Sequence, residues 1–241
     1  MRKSDAVRFL VLRTIGNFLV LFSVFGILAT FGPAIYYEVA YNIVQARGVH
    51  YVVSQTTQLP TASNQAQNED QAAVPSGGTA SFADVLAGPK EQILTPKDTN
   101  FSILIPKIGA SAKVFPNVDV SNQDLFLPIL MQGVAHAAGT VFPGMNGNVY
   151  LFAHSTDNFW DVGRYNAVFY LLKNLNKGDE VVIFYQNKRY NYIVTGSKIV
   201  GPSDVSDLVN SQNKNKQQLV LQTCWPPGTT LQRLLVFAEP K

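Results

Sequence analysis

Residues 180–196 read EVVIFYQNKRYNYIVTG, and this stretch decides the fold class. Two runs of aliphatic, aromatic and β-branched residues flank Gln186, Asn187 and Lys188, the pattern of two strands joined as a hairpin. The same texture recurs on both sides. FSILIP (101–106), NVYLFA (148–153), QQLVLQTC (217–224) and RLLVFAE (233–239) are short, largely apolar and bounded by turn residues. One interval departs from it. In RYNAVFYLLKNLNKG (164–178), Val168, Leu171, Leu172 and Leu175 fall at i, i+3, i+4 and i+7 and Gly178 stops the run, which predicts a single helix crossing the sheet. The expected fold is therefore mainly β. Residues 99–241 suffice for one closed or nearly closed β-barrel with its own core and one or two short helices.

Upstream the chain changes character twice. Residues 14–37, TIGNFLVLFSVFGILATFGPAIYY, hold no charge, and as a helix would span about 36 Å, enough to cross a bilayer. A cleavable signal peptide is the alternative, but its apolar core is shorter and a small-residue cleavage site would close it. An uncleaved anchor is expected. Residues 38–98 are the second change, rich from Ser54 onward in Ser, Thr, Gln, Ala, Gly and Pro, with Phe82 the single aromatic residue after Ser54. Such a composition buries too little apolar surface to offset its ordering entropy, so a largely flexible spacer is expected, with SFADVLAG (81–88) as a helix-like piece capped by Ser81.

The formal net charge is +3, too mild for a nucleic-acid partner on electrostatic grounds. It is also local. Arg2, Lys3, Arg8 and Arg13 against Asp5 account for all of it, and the rest of the chain is formally neutral. By the positive-inside rule residues 1–13 form a cytoplasmic stub, Tyr36, Tyr37 and Tyr41 mark the far interface, and the spacer and barrel lie outside a plasma membrane crossed once. One cysteine excludes an intramolecular disulfide framework and a cysteine-rich zinc site, and the three histidines show no metal-binding spacing.

Cys224 closes LVLQTC and is followed by Trp225, Pro226, Pro227 and Gly228, where Pro-Gly favours a type II turn, so its sulfur is expected at a strand end beside a loop. A lone cysteine is most often a small buried hydrophobe. Its neighbours argue otherwise. Arg233 begins the next apolar run and a hairpin returns it towards the sulfur, while His154 ends NVYLFAH before the polar STDN. Cysteine, histidine and arginine together suffice for acyl transfer: a thiolate nucleophile, a general acid/base and a fixed cation for the carbonyl or oxyanion. Taken singly, His154 reads equally as a hydrogen-bonded loop residue and Arg233 as a surface strand charge.

FSILIPKIGASAKVFPNVD (101–119), GVAHAAGTVFPGMNGNVYLFAHST (133–156), GPSDVSDL (201–208) and LVLQTCWPPGTTLQRLLVFAE (219–239), in that order, resemble the successive signature segments of sortases, membrane-anchored cysteine transpeptidases of bacterial surfaces. The resemblance covers about residues 101–241, and the anchor and spacer suit that family's layout. It implies Cys224 as nucleophile, His154 as general acid/base and Arg233 as the carbonyl-stabilising cation. Thr223, Trp225 and His136 are grouped with the substrate side, Thr223 helping to position the peptide and His136 with a structural role near the barrel wall. Val220 replaces one hydroxyl of the family's Thr-Leu-X-Thr-Cys run, and Ala153 the glycine common before the histidine. Trp225-Pro226-Pro227 makes a stiff rim, and an aromatic-containing loop follows His154.

The implied reaction is attack by Cys224 on a Thr-Gly-like bond of an LPXTG-like C-terminal sorting signal, giving a thioester that an amine resolves. That amine is a cell-wall peptide or a lysine of another surface protein. No cofactor is implied. Calcium regulates some members, but Asp119, Asp124, Asp157 and Asp161 form no recognisable site. Two alternatives stand: a membrane-tethered cysteine peptidase or hydrolase on the same scaffold, and a catalytically inactive surface-displayed binding barrel.

Overall fold

The computed structural model describes residues 3–54, 91–155, 168–209, 215–227 and 229–241 of a chain that divides into two compact units, Met1–Ala40 and Tyr41–Lys241. Helix α1 spans Lys3–Ala46. Its exposed window Arg8–Leu28 is long and apolar enough to cross a membrane, the one such window among the described residues, and its 21 residues cover about 32 Å. Ser23 donates its hydroxyl to the Leu19 carbonyl at 2.8 Å, so this polar group is satisfied within the helix.

The second unit is built on a closed barrel of eight strands. In chain order these are β3 (Phe101–Ile105), β4 (Ala110–Val118), β5 (Val134–Ala137), β6 (Gly147–Phe152), β7 (Glu180–Tyr185), β8 (Lys188–Val200), β9 (Gln217–Trp225) and β10 (Gln232–Pro240). Around the barrel they run β10-β8-β7-β3-β4-β5-β6-β9 and back to β10. The β4–β5 and β6–β9 pairs are parallel and the rest antiparallel. The β7–β8 hairpin is tighter than the sequence suggested. Lys188 already pairs with Tyr185, leaving Gln186 and Asn187 as a two-residue turn at φ 49° and 60°, the doubly left-handed form that matches strand twist.

Alternation of side chains sorts these strands into two faces. Val149, Leu151, Leu219, Leu221, Leu234 and Val236 point into the barrel and meet Ile103, Ile105 and Ile183 there. Between them, Tyr150, Phe152, Val220, Leu235 and Phe237 form a second cluster on the outer face of β6, β9 and β10. Two helices help to cover it: α2 (Gln123–Leu130) contributes Phe126, Ile129 and Leu130, and α3 (Ser206–Val209) contributes Leu208. Helix α2 starts where Asn122 accepts the Asp124 N–H at 3.0 Å, with Asp124 favourably placed in the first turn. It carries Pro128 in its interior, which is why its sequence did not read as helical.

Two further elements differ from expectation. The run after Val168 forms a 3₁₀ helix, Tyr170–Asn174, and the side chains it buries with its flanks are Phe169, Tyr170, Leu172 and Leu175 rather than the full i, i+3, i+4, i+7 set. Three residues per turn, not 3.6, set the buried face. The expected spacer is also structured at both ends: β1 (His50–Val53) and β2 (Glu91–Leu94) pair in parallel as a separate sheet. Val53 and Leu94 pack on Leu104, Val182 and Phe184 of the barrel's outer face. The piece 81–88 and the loop 156–167 lie outside the described residues, as does Gly228 of the Pro-Gly turn.

Candidate active site

Three neighbouring strands bring the chemistry together. Arg233 of β10 is the direct cross-strand partner of Cys224 of β9. On the other side of β9, Phe152 of β6 pairs in parallel with Gln222, and the ladder continues as the Ala153 N–H donates to the Gln222 carbonyl at 3.2 Å. Continuing that register two residues past the end of β6 brings His154 level with Cys224. Neighbouring strands lie about 4.8 Å apart. His154, Cys224 and Arg233 therefore stand abreast, with the cysteine in the middle, and parity turns all three to the outer face that carries Tyr150, Val220 and Leu235. A slip of one residue in β9 would bury the sulfur in the barrel.

These side chains line one cavity of about 300 Å³. Its floor is Tyr150, Phe152, Gln222 and Cys224, one wall is Phe126, Leu127 and Leu130 of α2, and the facing wall is Asp204, Val205 and Leu208. Cys224 is half-buried and its thiol is free. Arg233 donates from one terminal nitrogen to the Thr230 and Gln232 carbonyls, both at 3.0 Å. A guanidinium has five N–H donors, so its other nitrogens remain to meet an oxygen brought against Cys224. Asp204 stays ionised below the usual carboxylate range because the Ser206 hydroxyl and backbone N–H bond to it. Burial, and next Asp207, push the Tyr150 phenol far above its ordinary range, so it remains a donor at any physiological pH.

The three residues grouped on the substrate side are placed elsewhere. Thr223 alternates to the inward side of β9, is almost fully buried, and donates its hydroxyl to the Ala153 carbonyl at 3.1 Å. It ties β9 to the segment carrying His154 and so positions the pair. Trp225 shares that parity and packs against the barrel's interior cluster. His136 is fully buried in β5: Nδ1 accepts the Asn117 N–H at 3.3 Å, and Nε2 lies 3.1 Å from the Val141 carbonyl and 3.0 Å from the Thr140 hydroxyl. Burial lowers its pKa, the ring stacks on Phe142, and it belongs to the barrel wall. None of the three is among the cavity's described lining residues.

Missing from the sequence reading were α2, Asp204, Tyr150 and Gln222. The last two carried a signal, since they share the parity of His154 and Cys224 on the same two strands. Among the described residues no three His, Cys, Asp or Glu gather as a metal would require, and Asp119 is engaged by the Ser121 hydroxyl and N–H. Asp157 and Asp161 lie outside the described residues.

Comparison with known proteins bears on the family of the barrel. A family model for the sortase domain matches residues 103–241. Sortase D of Bacillus subtilis is 26% identical over 138 residues, 56% of this chain and 60% of that relative's length. Sortase C-1 of Actinomyces oris matches at 26% identity with a TM-score of 0.50, covering 60% of this chain and 76% of that one. A Sortase D5 transpeptidase of Clostridium perfringens is 26% identical at a TM-score of 0.47, covering 60% and 79%.

Proposed function

The chain belongs to the sortase family, and from that premise we propose that it is a cysteine transpeptidase acting on an LPXTG-like C-terminal sorting signal. The observation that carries this reading is that Cys224 and Arg233 are cross-strand partners and that His154, two residues past the end of β6, lines the same cavity. The Cys224 thiolate adds to the carbonyl carbon of the Thr-Gly-like bond, and Arg233 stabilises the developing oxyanion. The C–N bond breaks as His154 protonates the departing amine, leaving a thioester. An incoming amine adds to the thioester, gives its proton to His154, and expels the sulfur as the new amide forms. The acceptor is a cell-wall peptide or a lysine of a surface protein. Window Arg8–Leu28 supports a single membrane anchor, and the basic residues before it a cytoplasmic N-terminus with the barrel outside. No step needs a metal or other cofactor.

The test is mass spectrometry of the full chain in detergent, mixed with a sorting peptide and no amine. A covalent adduct equal to the acyl half of the peptide, absent in Cys224→Ala, is the expected result. Added amine then converts that adduct to an amide product; release of free acid alone, whatever the amine concentration, would overturn transfer in favour of hydrolysis.

A further inference from the structure

We propose that Gln222, oriented by Tyr150, is a specificity residue that donates an amide N–H to a carbonyl-type oxygen on the acyl half of the bound peptide. This rests on the transpeptidase reading above. Gln222 and Cys224 lie two residues apart on the outer face of β9 and both line the cavity. The Tyr150 hydroxyl donates to Gln222 Oε1 at 2.5 Å. A phenol that stays protonated keeps that oxygen occupied and so fixes which way the amide points. Its NH₂ group makes no hydrogen bond among the described residues.

A fixed donor is thus set among Phe126, Leu130 and Phe152 in a mostly apolar recess. Polar groups in such surroundings cost free energy unless a ligand or water supplies a partner. The NH₂ can only donate, so the ligand atom it recognises is an acceptor. Two strand residues advance about 7 Å, and an extended peptide advances equally, which sets the oxygen roughly two residues from the scissile carbonyl. The recess is lined both by Cys224 and by α2; with the acyl half, which stays attached to Cys224 as the thioester, lying along it, the oxygen belongs to the acyl side. Either a main-chain carbonyl or an Asp or Asn side chain can provide it.

The experiment compares the parent full chain with Gln222→Met and Tyr150→Phe on sorting peptides that differ only in having Asp, Asn, Ala or Val two residues before the cleaved bond. Thioester formation, kcat/KM and thermal midpoint are read together. Gln222→Met, which keeps the side-chain volume, is expected to lose about tenfold in kcat/KM with a midpoint lowered only by the orphaned Tyr150 hydroxyl, and Tyr150→Phe about threefold in kcat/KM. An equal loss on all four peptides identifies a main-chain oxygen; a loss confined to Asp and Asn identifies the side chain. If Gln222→Met stays within about twofold of the parent on every peptide while the parent forms its thioester, Gln222 is only packing and the proposal is wrong. A parent that forms no thioester with any peptide overturns the transpeptidase reading instead, and this proposal with it.

Discussion

Two patches of the barrel's outer face are covered in different ways. Over β3 and β7, the small sheet β1–β2 lays Val53 and Leu94 on Leu104, Val182 and Phe184, and the barrel residues there are at most 1% exposed. Over β6, β9 and β10, helices α2 and α3 close only part of the apolar surface, and the uncovered remainder is the cavity holding His154, Cys224 and Arg233. Complete cover makes a wall and incomplete cover makes a site. Substitutions on the first patch should therefore cost stability and spare chemistry, and those around the second should do the reverse.

The largest expected effect is at Cys224. Cys224→Ala should lower amine-dependent cleavage of a sorting peptide by at least about 10⁴-fold and leave the thermal midpoint near that of the parent, checked by product formation and a melting curve. An undiminished rate would remove the sulfur from the mechanism. On the covered patch, Phe184→Ala should cost about 3–5 kcal/mol in urea unfolding while kcat/KM, measured where the variant is still folded, stays within twofold. A large fall in activity there would erase the contrast between wall and site. Arg233→Ala should reduce kcat by about 10²–10³-fold with little change in KM, the outcome expected of a guanidinium that meets the oxyanion rather than the resting substrate. Thr223→Val, which removes the hydroxyl bonded to the Ala153 carbonyl, should cost about 1 kcal/mol and a few-fold in kcat.

The smallest effect concerns His136, which belongs to the wall by burial although it lies on the strand next to β6. Its folded pKa is depressed, so the unfolded chain binds the proton first as pH falls. The stability it contributes is complete above about pH 6.5 and is lost as pH falls through the folded value. His136→Gln should flatten that part of the stability–pH curve, read from denaturant midpoints between pH 7 and 5, whereas an unaltered slope would mean the ring titrates as though exposed.

The barrel strands, and the placing of His154, Cys224 and Arg233 around one cavity, were legible because both follow from a period of two: short apolar runs give the strands, and residues at strand ends are where loops and sites meet. What escaped depends on distance or on a different period. The β1–β2 pairing joins His50 to Glu91 across a polar stretch whose composition says nothing of its ends. Helix α2 hides behind an internal proline, and the turn at Tyr170–Asn174 follows three residues per turn. Thr223 and Trp225 adjoin Cys224 in sequence yet point to the opposite face, which adjacency alone does not reveal.

The barrel is closed, and this bears on how a peptide can be read. Each of the eight strands already has a neighbour on both sides, so no free edge is offered along which an incoming chain could add itself as a ninth strand. Most of the backbone groups that would give cheap, sequence-blind affinity are spent on the ladder. Recognition then falls to side chains on the outer surface. Exchanging individual residues on β6, β9 and α2 would reshape the cavity without disturbing the pairing that holds Cys224 beside Arg233.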